Sequence, residues 1–239
     1  MHGNPPAHTA NIAELNEGPT SIEPTLWLGL PAAREYFDPA TLSEADHSRF
    51  AALRGARRRA DFEVSRALLA FADSSARERS LSHCAEHAAL FIAPRGCRAG
   101  VDLEVERPRD VLRLARFAFH EREALALEAA PEAARLPLFY TLWTLKEAFA
   151  KALQLHLVDA LRRCVFWNEA GEWRGQVPTE SAWSAAVFQP RPKLFLAAAL
   201  VGLNQFPRLA AREWPPERSA DWPVIARTGA SASADAPRA

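Results

Sequence analysis

The feature that most constrains this chain lies between about Leu136 and Leu155, where Leu138, Leu142, Leu145, Phe149 and Leu153 return every three or four residues. That period predicts a long amphipathic helix with a buried face. Lys146, Glu147 and Lys151 interrupt the apolar run. Glu147 and Lys151 are four residues apart and share a face, and such a pair alone is an ordinary solvated ion pair worth about 0.3–0.5 kcal/mol. A second acidic pair, Asp102 and Glu104, sits on a segment of a different period and changes that reading.

Residues 97–106 alternate, with Val101, Leu103 and Val105 on one side and Asp102, Glu104 and Glu106 on the other, which predicts a strand. The carboxylates of Asp102 and Glu104 are then neighbours on one face. Residues 88–93 form a short apolar run that reads as a buried strand, and with a turn at 94–96 the two strands are expected to form a hairpin. Residues 25–30 read as a first strand. Residues 43–73 read as helix, capped by Ser43 and divided by Gly55. Two shorter helices are expected over 108–119 and 120–130, the second with Glu121 and Glu123 in its first turn. After the long helix the period becomes strand-like over 163–168, 173–177, 181–188 and 194–203, which predicts an antiparallel meander. The Pro-rich lead-in, residues 1–24, and the Pro-, Arg-, Ala- and Ser-rich stretch 207–239 are expected to be loose or largely irregular.

Charge narrows the class of partner. The 29 basic and 29 acidic side chains cancel, so nothing global favours nucleic acid, although Arg54, Arg57, Arg58, Arg59 and Arg66 cluster, as do Arg95, Arg98, Arg107 and Arg109. Cys84, Cys97 and Cys164 share no ligand spacing, which disfavours a disulfide framework or a zinc site and fits a reducing cytosol. No apolar run approaches the ~18 residues of a membrane span, and the first residues lack the layout of a signal peptide. The expectation is a cytoplasmic monomer that engages neither membrane nor nucleic acid.

Two carboxylates on a strand plus a third on a helix are the oxygen ligands Mg²⁺ takes alongside water and substrate phosphate. Neighbouring lysines would neutralise charge on a phosphate, and His83 would donate to it or carry a proton. A nuclease, with the arginines holding a phosphodiester backbone, is an alternative on these residues.

Gly100-Val101-Asp102-Leu103-Glu104, followed by Trp143-Thr144-Leu145-Lys146-Glu147-Ala148-Phe149-Ala150-Lys151, resembles the two signature motifs of the 4′-phosphopantetheinyl transferase superfamily. The second motif matches at every specified position. In the first, Ala99 stands where the family usually has Val or Ile. Ser82-His83-Cys84 looks like the family's Ser-His-Ser element with Cys84 as its last residue. The length is that of the larger, surfactin-synthetase-type and enterobactin-type members. The resemblance implies an α+β fold of two similar halves related by a pseudo-twofold, each a small antiparallel sheet packed on a long helix. Residues 25–100 would form the coenzyme A nucleotide side and residues 101–206 the half carrying the metal site.

The resemblance also implies a reaction in which a serine of an apo acyl, aryl or peptidyl carrier protein attacks the pyrophosphate of coenzyme A and 3′,5′-adenosine bisphosphate leaves. By motif position, Asp102, Glu104 and Glu147 would hold Mg²⁺, with Glu147 or a water on the metal as base. Lys151 would stabilise the pyrophosphate, Lys146 would stand near the cofactor in a less defined role, and Ser82 and His83 would contact phosphate or the adenosine end. Arg58 and Arg66 would reach the nucleotide 3′-phosphate, where a bidentate guanidinium fits. Residues 73–80 lack the Gly-Lys-Pro-like loop of many relatives, with Arg77 or Arg79 expected to supply the missing cation, and no glycine follows Lys151. Another Mg²⁺-dependent phosphate enzyme and a non-catalytic carrier-binding relative are the alternatives.

Overall fold

A computed structural model describes residues 24–72, 78–216 and 221–230 of the chain. Residues 1–23, 73–77, 217–220 and 231–239 lie outside the described residues, and with them most of the lead-in, Arg77 and parts of the tail.

The chain runs through β1 (Thr25–Gly29), α1 (Glu44–Ala52), α2 (Ala56–Phe71), β2 (Arg79–Cys84), β3 (His87–Ile92) and β4 (Arg98–Val105). It continues through α3 (Val111–Ala118), α4 (Glu121–Ala129), α5 (Glu132–Leu153), α6 (Leu157–Arg163), β5 (Val165–Glu169) and β6 (Glu172–Gln176). Last come β7 (Trp183–Arg191), β8 (Leu194–Val201), β9 (Ala210–Trp214) and β10 (Val224–Gly229). The same arrangement is built twice. In the first half β1 is followed by helix α2 and the hairpin β2–β3, with β3 pairing antiparallel to β1; in the second, β4 is followed by helix α5 and the hairpin β7–β8, with β8 pairing antiparallel to β4. Each half is an α/β layer pair with sheet order second, third, first.

The two sheets pack face to face and the long helices lie outside. Leu194–Val201 is buried at every position because it has no solvent face. Leu194, Leu196, Ala198 and Leu200 meet Leu26, Leu28 and Phe91 of the first sheet, while Phe195, Ala197, Ala199 and Val201 meet Leu145, Ala148 and Phe149 of α5. On the far side of the first sheet, Leu90 and Ile92 pack on Val64 and Leu68 of α2. A strand buried on both faces reads as a continuous apolar run, as this one does.

Caps set the helix ends. Ser43 accepts from the Asp46 amide, and Gly55, at φ 86°, separates α1 from α2. Gln154, at φ 55°, takes the left-handed position that ends α5, and its amide donates to the Ala150 and Lys151 carbonyls. The glycine missing after Lys151 is thus replaced in its backbone role by Gln154.

Four expectations are corrected. The strands β3 and β4 do not form a hairpin; β3 pairs with β1 and β2, and β4 with β8. The expected meander is divided, because β5 and β6 form their own two-stranded sheet. Residues 157–163, which had no helical assignment, form α6. The stretch beyond Pro207 is not largely irregular over its described part: β9 pairs parallel to β1 and β10 antiparallel to β7, each extending one sheet, while Trp214 and Trp222 are buried.

Candidate active site

Strand β4 lies against α5 with no side chain between them at Gly100. A β-carbon there would sit 1.8 Å from the Ala148 carbonyl oxygen. This backbone approach brings Asp102 and Glu104, on the same face of β4, up to Glu147 and Lys151 on α5. One carboxylate oxygen from each of Asp102, Glu104 and Glu147 lies within 4.8 Å of the others.

Asp102 is almost fully buried and its two oxygens are used differently. Oδ1 accepts from Ser82 Oγ at 2.9 Å and from Lys151 Nζ at 2.9 Å. Oδ2 is buried with no hydrogen-bond partner among the described residues. A buried carboxylate oxygen left so is costly unless something satisfies it, and a hard cation between three carboxylates does. The residues therefore fit a divalent oxygen-ligated ion such as Mg²⁺. The electrostatics agree. Burial, then the nearby Asp102 charge, push the Glu147 carboxyl up to about 7 against the opposing pull of Lys151. Burial and Asp102 likewise raise Glu104. Acids that repel one another in this way bind a cation in place of protons.

Lys151 Nζ also donates to the Val101 carbonyl at 2.7 Å, and its side chain is one-third exposed. Beside it, Glu147, Ala150, Lys151, Gln154, Leu155 and Leu157 line a hollow of about 430 Å³. His83 is exposed on β2. Partial desolvation by its neighbours lowers its pKa, and Arg66 and Lys151 add to this against the pull of Asp61. Next along β2, Cys84 Sγ lies 3.6 Å from Glu104 Oε2, and burial together with Glu104 pushes the thiol up to about 11.

Three expected contacts are placed differently. Lys146, expected near the cofactor, is fully buried on another face of α5. Its Nζ bonds Glu123 Oε2 at 2.7 Å, the Leu161 carbonyl at 2.7 Å and the Cys164 carbonyl, so all three protons are committed. Glu123 in turn accepts from the Phe166 and His120 amides. This pair ties α4, α5, α6 and β5 together. Ser82, expected on phosphate, has its hydroxyl on Asp102. Arg66 is held in a two-pronged pair with Asp46, both contacts 2.8 Å, and lies over the Phe62 ring. Arg58 is exposed on α2. Sequence reasoning missed Ser80, whose Oγ accepts from the Val101 amide at 3.0 Å; the alternation Ser80-x-Ser82-x-Cys84 was the available signal.

Residues 98–191 match the family model described as the 4′-phosphopantetheinyl transferase superfamily. Over this segment the chain is similar to that superfamily. AcpT of Salmonella typhi and AcpT of Salmonella typhimurium, both named 4′-phosphopantetheinyl transferases, are each 40% identical over 73 residues, 30% of this chain and 38% of theirs. The protein slr0495 of Synechocystis, provisionally named for the same activity, is 36% identical over 74 residues, 30% of either chain. The matches thus span well under half the length of these relatives. The superfamily segment holds Asp102, Glu104, Glu147 and Lys151, whereas Ser82, His83, Arg58 and Arg66 lie before it. Among the described residues no helix is long and apolar enough to cross a membrane.

Proposed function

We propose that this protein transfers the 4′-phosphopantetheine group of coenzyme A to a serine hydroxyl of an apo carrier protein. The observation that carries this reading is the convergence of Asp102, Glu104 and Glu147 with Lys151 on Asp102. Mg²⁺ held by the three carboxylates would supply charge stabilisation to the pyrophosphate. Lys151 has two of its three protons on Val101 and Asp102, which leaves one for a phosphate oxygen. The serine oxygen forms a bond to the pantetheine-side phosphorus, the bond from that phosphorus to the bridging oxygen breaks, and 3′,5′-adenosine bisphosphate departs. Glu147 is the base that takes the serine proton. His83 and Arg58 would serve the nucleotide of coenzyme A.

Carrier proteins present an acidic helix, and α3 offers a matching surface. Asp110, Arg113, Leu114 and Phe117 line a hollow of about 500 Å³, and Phe117 is 79% exposed. An exposed aromatic beside arginine suits a partner of that chemistry. Free thiols at Cys84, Cys97 and Cys164 fit a reducing compartment such as the cytoplasm.

Intact-mass measurement tests the reading. With Mg²⁺ and coenzyme A, the purified protein is expected to add ~340 Da to an apo carrier protein. No adduct across a panel of acyl, aryl and peptidyl carriers would overturn it.

A further inference from the structure

Ser80, Ser82 and Cys84 stand at alternate positions of β2 and so share one face. That face is turned to β4 across the seam between the two halves. No backbone ladder joins the two strands, since β2 ends one sheet and β4 ends the other. Side chains make the rungs instead. Ser80 Oγ accepts from the Val101 amide at 3.0 Å, Ser82 Oγ accepts from the Leu103 amide at 3.3 Å and donates to Asp102 Oδ1 at 2.9 Å, and Cys84 Sγ lies 3.6 Å from Glu104 Oε2.

We propose that this row on β2 is a positioning device for the metal ligands: Ser82 and Cys84 hold one oxygen of Asp102 and one of Glu104, so that the other oxygen of each faces the cation. The inference deepens the metal-dependent transfer proposed above and rests on it. Asp102 carries it furthest. With Oδ1 taken by Ser82 and Lys151 and Oδ2 buried without a partner, its carboxylate can offer an ion only Oδ2, in one fixed direction. Ser82 thus acts through Asp102, with no hydroxyl proton left for substrate. Its second bond, from the Leu103 amide, fixes β2 against β4 in the register that puts Cys84 opposite Glu104. Partners of this kind typically contribute 10–100-fold to metal affinity because they remove the ligand's freedom to rotate.

The test is Mn²⁺ binding to the full-length protein without coenzyme A or carrier, read from the electron paramagnetic resonance of free Mn²⁺. Mn²⁺ takes the same oxygen ligands as Mg²⁺. Ser82→Ala is expected to weaken binding about 10–100-fold. Ser82→Thr, which keeps the hydroxyl, is expected to recover most of that loss, which a purely structural role for the serine would not require. Cys84→Ala is expected to weaken binding less, because a thiol is a weaker donor, and Cys84→Ser to hold or tighten it. If wild type binds Mn²⁺ and Ser82→Ala binds it equally well, the positioning role is overturned and the metal site stands. If wild type binds none, both fall. Should Ser82→Ala lose its circular dichroism, Cys84→Ala decides, and unchanged affinity there overturns the proposal.

Discussion

Gly100 and Ala148 meet backbone to backbone, so closely that a β-carbon at Gly100 would lie 1.8 Å from the Ala148 carbonyl oxygen and 2.9 Å from the Ala152 amide nitrogen. Both neighbours are main chain of a buried helix and neither can swing aside. Gly100→Ala must therefore push β4 off α5, separating Asp102 and Glu104 from Glu147. The expected cost is about 1–3 kcal/mol or more in a denaturant titration, as for other overpacked sites, together with weaker divalent-cation binding. A variant with unchanged stability and metal affinity would show that β4 and α5 are not held at this distance.

Much of this site was legible because its signals are local. The period of residues 136–155 and the alternation of residues 97–106 placed the three carboxylates on a helix and a strand, and Ser43 and Gly55 marked helix ends. Pairing was not legible, since β3 and β4 find their partners in β1 and β8, far along the chain, and no side-chain pattern encodes that choice. The tail strands stayed hidden for a related reason: β9 and β10 are held by main-chain bonds to existing sheet edges more than by apolar side chains of their own. The direction of Lys146 was lost because α5 is buried on most of its surface, including Phe139, Tyr140, Leu142, Leu145 and Phe149. On such a helix spacing does not tell which side faces the site. Ser82 misled for the opposite reason, since its motif suggested phosphate while a neighbouring strand had already taken its hydroxyl.

The buried pair Lys146–Glu123 is expected to govern stability and to leave the chemistry alone. Lys146→Met strands the Glu123 charge in the core, which typically costs about 3–5 kcal/mol. Replacing both, Lys146→Met with Glu123→Leu, removes the stranded charge, so the double variant should lose less than the sum of the single losses in denaturation experiments. Part of the loss should remain, because Glu123 also accepts from the Phe166 and His120 amides. Additive losses would mean that the two side chains are not coupled.

Glu147 is expected to trade stability for function. Its carboxyl, raised to about 7 by burial and by Asp102, is a strained anion in the metal-free protein at neutral pH. Glu147→Gln relieves the repulsion, so its metal-free melting temperature at pH 8 should equal or exceed that of wild type, while carrier modification is lost. Near-normal turnover would remove Glu147 from the chemistry.

Acid should loosen the contact between α1 and α2 at Asp46. The two-pronged contact with Arg66 holds its carboxyl below the usual 3.8 against the opposing effect of burial. A depressed carboxylate contributes stability that is fully present above the unfolded value and is lost as pH falls through the folded one. Asp46→Asn should therefore be less stable than wild type from pH 5 to pH 7, and the gap should close on acidification below about pH 4, the unfolded value. Equal stability at pH 7, or a gap that widens in acid, would contradict the pair.

The proposed carrier docking at α3 makes a kinetic prediction that separates recognition from catalysis. Phe117 is 79% exposed and lines a hollow with Arg113 on α3, a helix that begins six residues after β4 ends. Phe117→Ala should remove an aromatic anchor, and Arg113→Glu should set like charge against an acidic carrier helix. Each is expected to raise KM for the carrier by roughly tenfold, about 1.4 kcal/mol, and to leave KM for coenzyme A unchanged. The Arg113→Glu effect should shrink at high salt, because exposed charges are screened beyond ~10 Å at 0.1 M. A loss in kcat with carrier KM intact would place α3 in the chemistry instead, and no change in either would move the docking surface elsewhere.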